Sequence, residues 1–275
     1  ERILSSLYQE HTGRYFNHNV HSVRVLDDMV NWNISLQTLD GILCHNGELE
    51  LKEYRPCDMS TFVEYDKKVE ACYVDEKAIG ELIPCTLEGC VMRICDIIAY
   101  LGKDRQDAMR LNLLKESPFT AGAIGTSNGE IINNFSVNII ENSYGKDYLK
   151  MDEEYFDALR QAKKENYEMI YNNKSLNDLY ENEIRPMFGE LYEELLRQAE
   201  SGDKSSVFYR HHMAYMEKNN FYVKSHVRKP YAEQEKNQLV VDYLASMTDD
   251  YFIALYHYLF PKGKHDVKFV GYFDL

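Results

Sequence analysis

The stretch Asp96-Ile97-Ile98-Ala99-Tyr100-Leu101-Gly102-Lys103-Asp104-Arg105-Gln106-Asp107-Ala108 decides the fold. Asp96, Tyr100, Asp104 and Asp107 stand 4, 4 and 3 residues apart, a spacing that puts all four on one face of an α-helix. Ile94, Ile98 and Leu101 take the opposite face, and Met92 and Met109 extend it. A helix of this kind buries its apolar stripe and exposes the rest. Its exposed stripe carries three carboxylates and a phenol, starting directly after the apolar run Val91-Met92-Arg93-Ile94-Cys95. An acid that follows such a run is expected to be partly buried, and a buried carboxylate needs a cation, a metal or a donor. The plainer reading is a solvated helix face.

Working outward, helical period continues through most of the chain. Helices are expected over 18–31, 35–45 with Ser35 as N-cap, 59–80, from Thr86 through the quoted stretch, and over 130–143, 152–172, 175–200, 204–219 and 232–261. The last is interrupted near Met247-Thr248-Asp249. Gly47 suits a stop after His45-Asn46. Gly102 is expected to loosen or bend its helix before Asp104. Residues 48–58 read as irregular, and 120–129, after Ser117-Pro118, as a flexible small-residue connection. That loop lacks the Gly-Lys-Ser/Thr of a phosphate-cradling loop. Residues 263–275 are basic, then aromatic, and suit a short extended tail. With only 6 Pro and 14 Gly in 275 residues, the fold class is all-α.

The net charge of −14 argues against a surface built for nucleic acid or anionic lipid. A polyanionic substrate would then need local cations and a metal. The six cysteines, at 44, 57, 72, 85, 90 and 95, form no Cys-x-x-Cys pair and are expected to be buried, reduced thiols of a cytoplasmic protein. No apolar run is long enough to span a membrane. Residue 1 is Glu, so a leader cannot be judged, and the chain reads as a piece of something longer.

The quoted stretch resembles the last metal-ligand motif of the HD-domain deoxynucleoside triphosphate triphosphohydrolases, the dGTPase family, which reads roughly D-x-[IV]-A-Y-x-x-[HRK]-D-x-x-D-A. Asp96, Ala99, Tyr100, Lys103, Asp104, Asp107 and Ala108 fall on it. Four more segments resemble the family in the same order. They are Gly13-Arg14-Tyr15-Phe16-Asn17-His18-Asn19-Val20-His21-Ser22-Val23-Arg24-Val25-Leu26, Leu39-Asp40-Gly41-Ile42-Leu43-Cys44-His45-Asn46-Gly47, Ile132-Asn133-Asn134 through Glu141-Asn142-Ser143, and Val241-Asp242-Tyr243-Leu244-Ala245-Ser246-Met247-Thr248-Asp249-Asp250-Tyr251.

The resemblance implies an HD-superfamily helical bundle, with 1–116 as the C-terminal portion of the HD domain and 117–275 as a helical C-terminal region. It implies a divalent metal (Mn, Mg or Fe) and hydrolysis of dNTPs to deoxynucleoside and triphosphate. Asp96 corresponds to the distant metal-ligating Asp. The family's first His and its His-Asp pair are expected upstream of residue 1. The chain's own His265-Asp266 has the wrong context. His18 corresponds to the histidine beside the α-phosphate, suited to acid/base work. His21, one turn on, departs from the family's Gln or Glu and either orients His18 or faces solvent. Tyr100 and Asp104 carry over as contacts to phosphate and sugar hydroxyl. Lys103 is a weaker phosphate candidate, while Asp107 reads as structural and His45 as a helix-end cap.

The resemblance further implies a homo-oligomer. Tyr209-Arg210-His211-His212 and 224–229 are the best cationic clusters. They suit ordinary surface charge, or contact with phosphates, a neighbouring subunit or an allosteric nucleotide. Tyr243, Tyr251 and Tyr256 read as packing. Two other functions stay open. One is an HD nucleotidase acting on other phosphates; the other is a non-catalytic regulator that binds nucleotide or single-stranded nucleic acid.

Overall fold

A computed structural model describes all residues except 31, 47–48, 115–118, 220–229 and 268–275. In chain order its helices are α1 (Arg2–Thr12), α2 (His18–Arg24), α3 (Leu36–Leu43), α4 (Phe62–Val74), α5 (Leu87–Arg110), α6 (Asn128–Ser143), α7 (Glu153–Asn166), α8 (Lys174–Leu179), α9 (Arg185–Ser201), α10 (Ala214–Asn219), α11 (Lys236–Ala245) and α12 (Asp249–Leu259). The one sheet among the described residues pairs β1 (Glu53–Tyr54) antiparallel with β2 (Leu149–Lys150). β1 lies inside the segment expected to be irregular. The chain is all-α in class, with no described helix long and apolar enough to cross a membrane.

Capping residues set the helix starts. Ser35, Thr86 and Thr248 each accept from a backbone N–H one turn on. Thr61 and Ser127 complete capping boxes with Glu64 and Glu130. Each such cap is worth about 1 kcal/mol. The break at Met247 is thus a new start capped by Thr248. Four expected helices contain π turns, at Val25–Met29, Tyr167–Tyr171, Tyr180–Ile184 and Phe208–Met213.

Contacts divide the chain into two compact units, Glu1–Asn33 with Asn177–Leu275, and Ile34–Leu176. The expected boundary at 116/117 falls inside the latter, among residues outside the description. The Ile34–Leu176 unit is built around α5, which packs on α3, α6 and α7. Its core includes Ile94, Ile97, Leu101, Ile131 and Phe135, all buried. Each contributes about 1.5–3 kcal/mol on transfer from water. In the other unit α9 and α11 pack together and α1 covers both, burying Tyr8, Leu191, Tyr192, Leu195 and Leu239.

Several readings of the helix faces change. Met92, expected to extend the apolar face of α5, is 54% exposed, beside exposed Val91. Arg93 and Arg105 are buried in its place. Arg105 donates to Asn166 Oδ1, to the carbonyl of Ala162 and to Glu165, and lies over the Phe119 ring. These partners offset the cost of burying the guanidinium, although its Nη1 is buried without a hydrogen bond.

Gly102 does not break α5. A Cβ there would meet the Asn128 backbone at 2.7 Å, so glycine admits the start of α6. Gly41 and Gly89 likewise let α3 and α5 approach, with a Cβ on Gly89 reaching the Gly41 Cα at 3.5 Å. The 120–129 loop is anchored rather than loose, since Ile124 is buried and Asn134 Nδ2 donates to its carbonyl. Of the cysteines, Cys44, Cys72 and Cys90 are buried as expected, whereas Cys95 is exposed. Gly47, Ser117-Pro118 and the end of the 263–275 tail lie outside the described residues.

Candidate functional site

The acidic stripe on α5 forms as its spacing requires. Asp96, Tyr100 and Asp104 are half-buried, while Ile94, Ile97, Ile98 and Leu101 on the same helix are buried. Asp104 accepts a hydrogen bond from Tyr171 OH. Burial and the Asp104 carboxylate push the Tyr171 phenol above its usual range, so it stays a donor. Tyr171 closes the π turn after α7, 67 residues from Asp104. Sequence spacing gave no signal for it. Such π turns are frequent at functional sites.

Lys103 points along the surface and pairs with Asp107 at 2.6 Å; Arg110 stands 3.8 Å from the same carboxylate. Asp107 is therefore held by two cations on its own helix, in keeping with a structural part. An apolar groove of about 500 Å³ runs beside the stripe between α5 and α6, past Val91, Cys95, Ala99, Ile132 and Ile140. It holds no carboxylate or imidazole.

His18 and His21 belong to the other unit, on α2. Asn17 caps this helix, accepting from the N–H of Asn19. His18 opens it with its side chain about half exposed, and its Nδ1 is hydrogen-bonded to the Glu1 carboxylate. Burial raises the Glu1 pKa, but the His18 hydrogen bond and charge outweigh this and hold it below the ordinary value.

The one-turn spacing suggests a face shared by His18 and His21, yet His21 rolls inward. Its side chain is 11% exposed, its Nδ1 lies 3.7 Å from Asp242, and its ring tilts against Phe16. Burial lowers its pKa, Asp242 opposing and Arg24 adding. It does not face solvent.

Asp242 is fully buried on α11. It accepts from Arg24 Nε at 2.7 Å and NH2 at 2.6 Å, from Gln238 Nε2 at 3.0 Å and from Tyr231 OH at 2.9 Å. Burial opposes its charge, but Arg24, His21 and Gln238 hold the carboxyl below its usual range.

The 209–212 cluster is not uniformly a surface cation patch. His212 is buried, stacked on Tyr243 at 4.8 Å, and within 2.7 Å of Tyr231 OH. Burial pushes its pKa down to about 4, so it is neutral at physiological pH. The Tyr231 proton is committed to Asp242, so His212 must donate from Nε2. Tyr243 and Tyr256 are buried as packing residues. His265 and Asp266 are tied to Glu183 and His257. His45 Nδ1 bonds the Ile42 carbonyl at its helix end. Residues 224–229 lie outside the described ones.

Among the described residues no three His, Cys, Asp or Glu side chains gather where they could hold a metal ion. The described residues therefore do not form a complete metal site around Asp96.

Residues 149–258 match the family model described as a phosphohydrolase-associated domain. A deoxyguanosinetriphosphate triphosphohydrolase-like protein of Clostridium tetani is 25% identical over 90% of this chain and 60% of its own length. A protein of the same name from Clostridium perfringens is 26% identical over 86% of this chain and 58% of its own. Another, from Caldanaerobacter subterraneus, is 27% identical over 64% and 47%. The chain thus spans about 60% of the length of the first of these relatives, and less of the others. No solved structure matches. These matches, at 25–27% identity, and the all-α fold are consistent with the HD-type deoxynucleoside triphosphate triphosphohydrolase family that the five motifs resemble.

Proposed function

We propose that the protein hydrolyses deoxynucleoside triphosphates between the 5′-oxygen and the α-phosphorus, releasing a deoxynucleoside and inorganic triphosphate. The observation that carries this reading is the half-buried Asp96–Tyr100–Asp104 stripe, closed by Tyr171 at Asp104. A phenol one turn from a carboxylate suits donation to a phosphate oxygen. Asp104, already accepting from one hydroxyl, suits a sugar hydroxyl as a second donor.

His18, the exposed imidazole of α2, is the acid/base group. It gives a proton to the departing 5′-oxygen or takes one from the attacking water. Asp96 would be one ligand of a divalent ion (Mn, Mg or Fe), whose further ligands lie outside the described residues; when bound, such an ion orients phosphate and acidifies water. Cytoplasmic location and a homo-oligomer accompany this reading, as does a possible second, allosteric nucleotide.

The test is incubation of the full-length protein with each dNTP and Mn²⁺, with phosphorus products identified by ³¹P NMR. Intact triphosphate, lost in Asp96→Ala with the circular dichroism spectrum kept, supports the reading. Pyrophosphate or orthophosphate would assign a different HD hydrolase. Absence of turnover, with nucleotide still bound, would make the protein a binding regulator.

A further inference from the structure

The histidine helix is short. α2 has seven residues and runs straight into the π turn Val25–Met29, so its own hydrogen bonds do little to fix its direction. What fixes it comes from the far end of the chain. Arg24, the last residue of α2, forms a two-pronged pair with Asp242, 218 residues away. The same guanidinium donates to Gln234 at 2.6 Å and faces Asp28 at 3.3 Å. Every oxygen of Asp242 is used, because Gln238 and Tyr231 supply the remaining donors.

These donors are themselves held. Tyr8 of α1 donates to Gln238 Oε1, and His212 backs Tyr231. His21 packs against the same carboxylate at 3.7 Å. Arg24 and His21 turn into this cluster, while His18, at the start of the same helix, stays about half exposed. A planar fork on a carboxylate restrains orientation as well as distance.

We infer that Asp242 is a positioning residue: through Arg24 it fixes the direction of α2 and so places the His18 imidazole. The inference rests on the reading of His18 as the acid/base group. Asp242 touches no substrate; it acts only by holding the helix. Displacing a reacting group by about 1 Å is enough to cost on the order of 100-fold in rate.

The test compares Asp242→Asn, Arg24→Lys and the double variant in the full-length protein. Three quantities are read: thermal unfolding, the ¹⁵N imidazole resonances of His18 across pH, and kcat and KM for the dNTP that the wild type turns over. In folded protein, each single variant should move the His18 resonance and lower kcat by about 10- to 100-fold, with KM changed less than about 3-fold. The double variant should be no worse than the poorer single one, because both act through one contact.

Arg24→Lys keeps the charge and loses only the fork, so it carries the test alone if Asp242→Asn fails to fold. Folded variants with unmoved His18 resonances and unchanged kcat would overturn the inference, even if melting temperature dropped. A wild type that hydrolyses no dNTP would overturn the functional reading instead, and the His18 resonances alone would then decide whether Asp242 positions the helix.

Discussion

Acid should destabilise the unit that holds His212, in a pH window set by that one ring. Burial pushes the His212 pKa down from its ordinary 6.5 to about 4. Between those values the unfolded chain takes up a proton that the folded chain refuses. Stability is therefore full above the unfolded value, falls as pH drops through 6.5, and levels off below about 4. At pH 5 the unfolded ring is almost wholly charged and the folded ring mostly neutral, a difference of about 2 kcal/mol.

His21, also lowered by burial, adds a loss of the same sign. Asp242 works below this window. Its carboxyl is held beneath 3.8, so its contribution is present above that value and lost only in stronger acid. His212→Gln removes the titration and keeps an N–H within reach of Tyr231. Urea unfolding at pH 7 and pH 5, followed by far-UV circular dichroism and by fluorescence of Trp32, the single tryptophan, measures both proteins. The wild type should lose about 2 kcal/mol more than the variant over that interval. Equal losses in the two proteins would refute the argument that a buried, neutral His212 sets the acid sensitivity.

Gly102→Ala places a Cβ 2.7 Å from the Asn128 backbone and should cost about 1–3 kcal/mol by overpacking; a melting temperature equal to wild type would contradict the close approach of α5 and α6. Tyr171→Phe removes the hydroxyl that Asp104 accepts. Calorimetric titration should show dNTP affinity lowered by about 5-fold, the scale of one hydrogen bond, and unchanged affinity would remove Tyr171 from the nucleotide site.

Much of the fold was legible locally. Ser35 and Thr86 marked helix starts because a cap needs only a side-chain oxygen and an N–H one turn away. The interruption near Met247-Thr248-Asp249 was legible too, but the structure supplied its form, a new helix capped by Thr248. The acidic stripe was legible because helical spacing assigns faces without reference to the rest of the chain. Spacing alone did not say which flank of that stripe is covered: Met92 continues the apolar pattern of α5 yet is exposed, and Arg93 and Arg105 interrupt it yet are buried. Their burial depends on carbonyls and carboxylates supplied by segments distant in the chain, such as Glu165 for Arg105.

The same division holds for the candidate site. Residue identity and spacing alone determined that the chain is helical, that Asp96, Tyr100 and Asp104 share a face, and that His18 begins a helix. Only tertiary packing decided that Tyr171 meets Asp104, that His21 turns inward, that His212 is neutral, and that Asp242 grips Arg24 across 218 residues. The local features rest on interactions within about one helical turn, which the sequence encodes directly. The others arise where separate helices meet, and each depends on which faces are buried together and on how far burial shifts a charge.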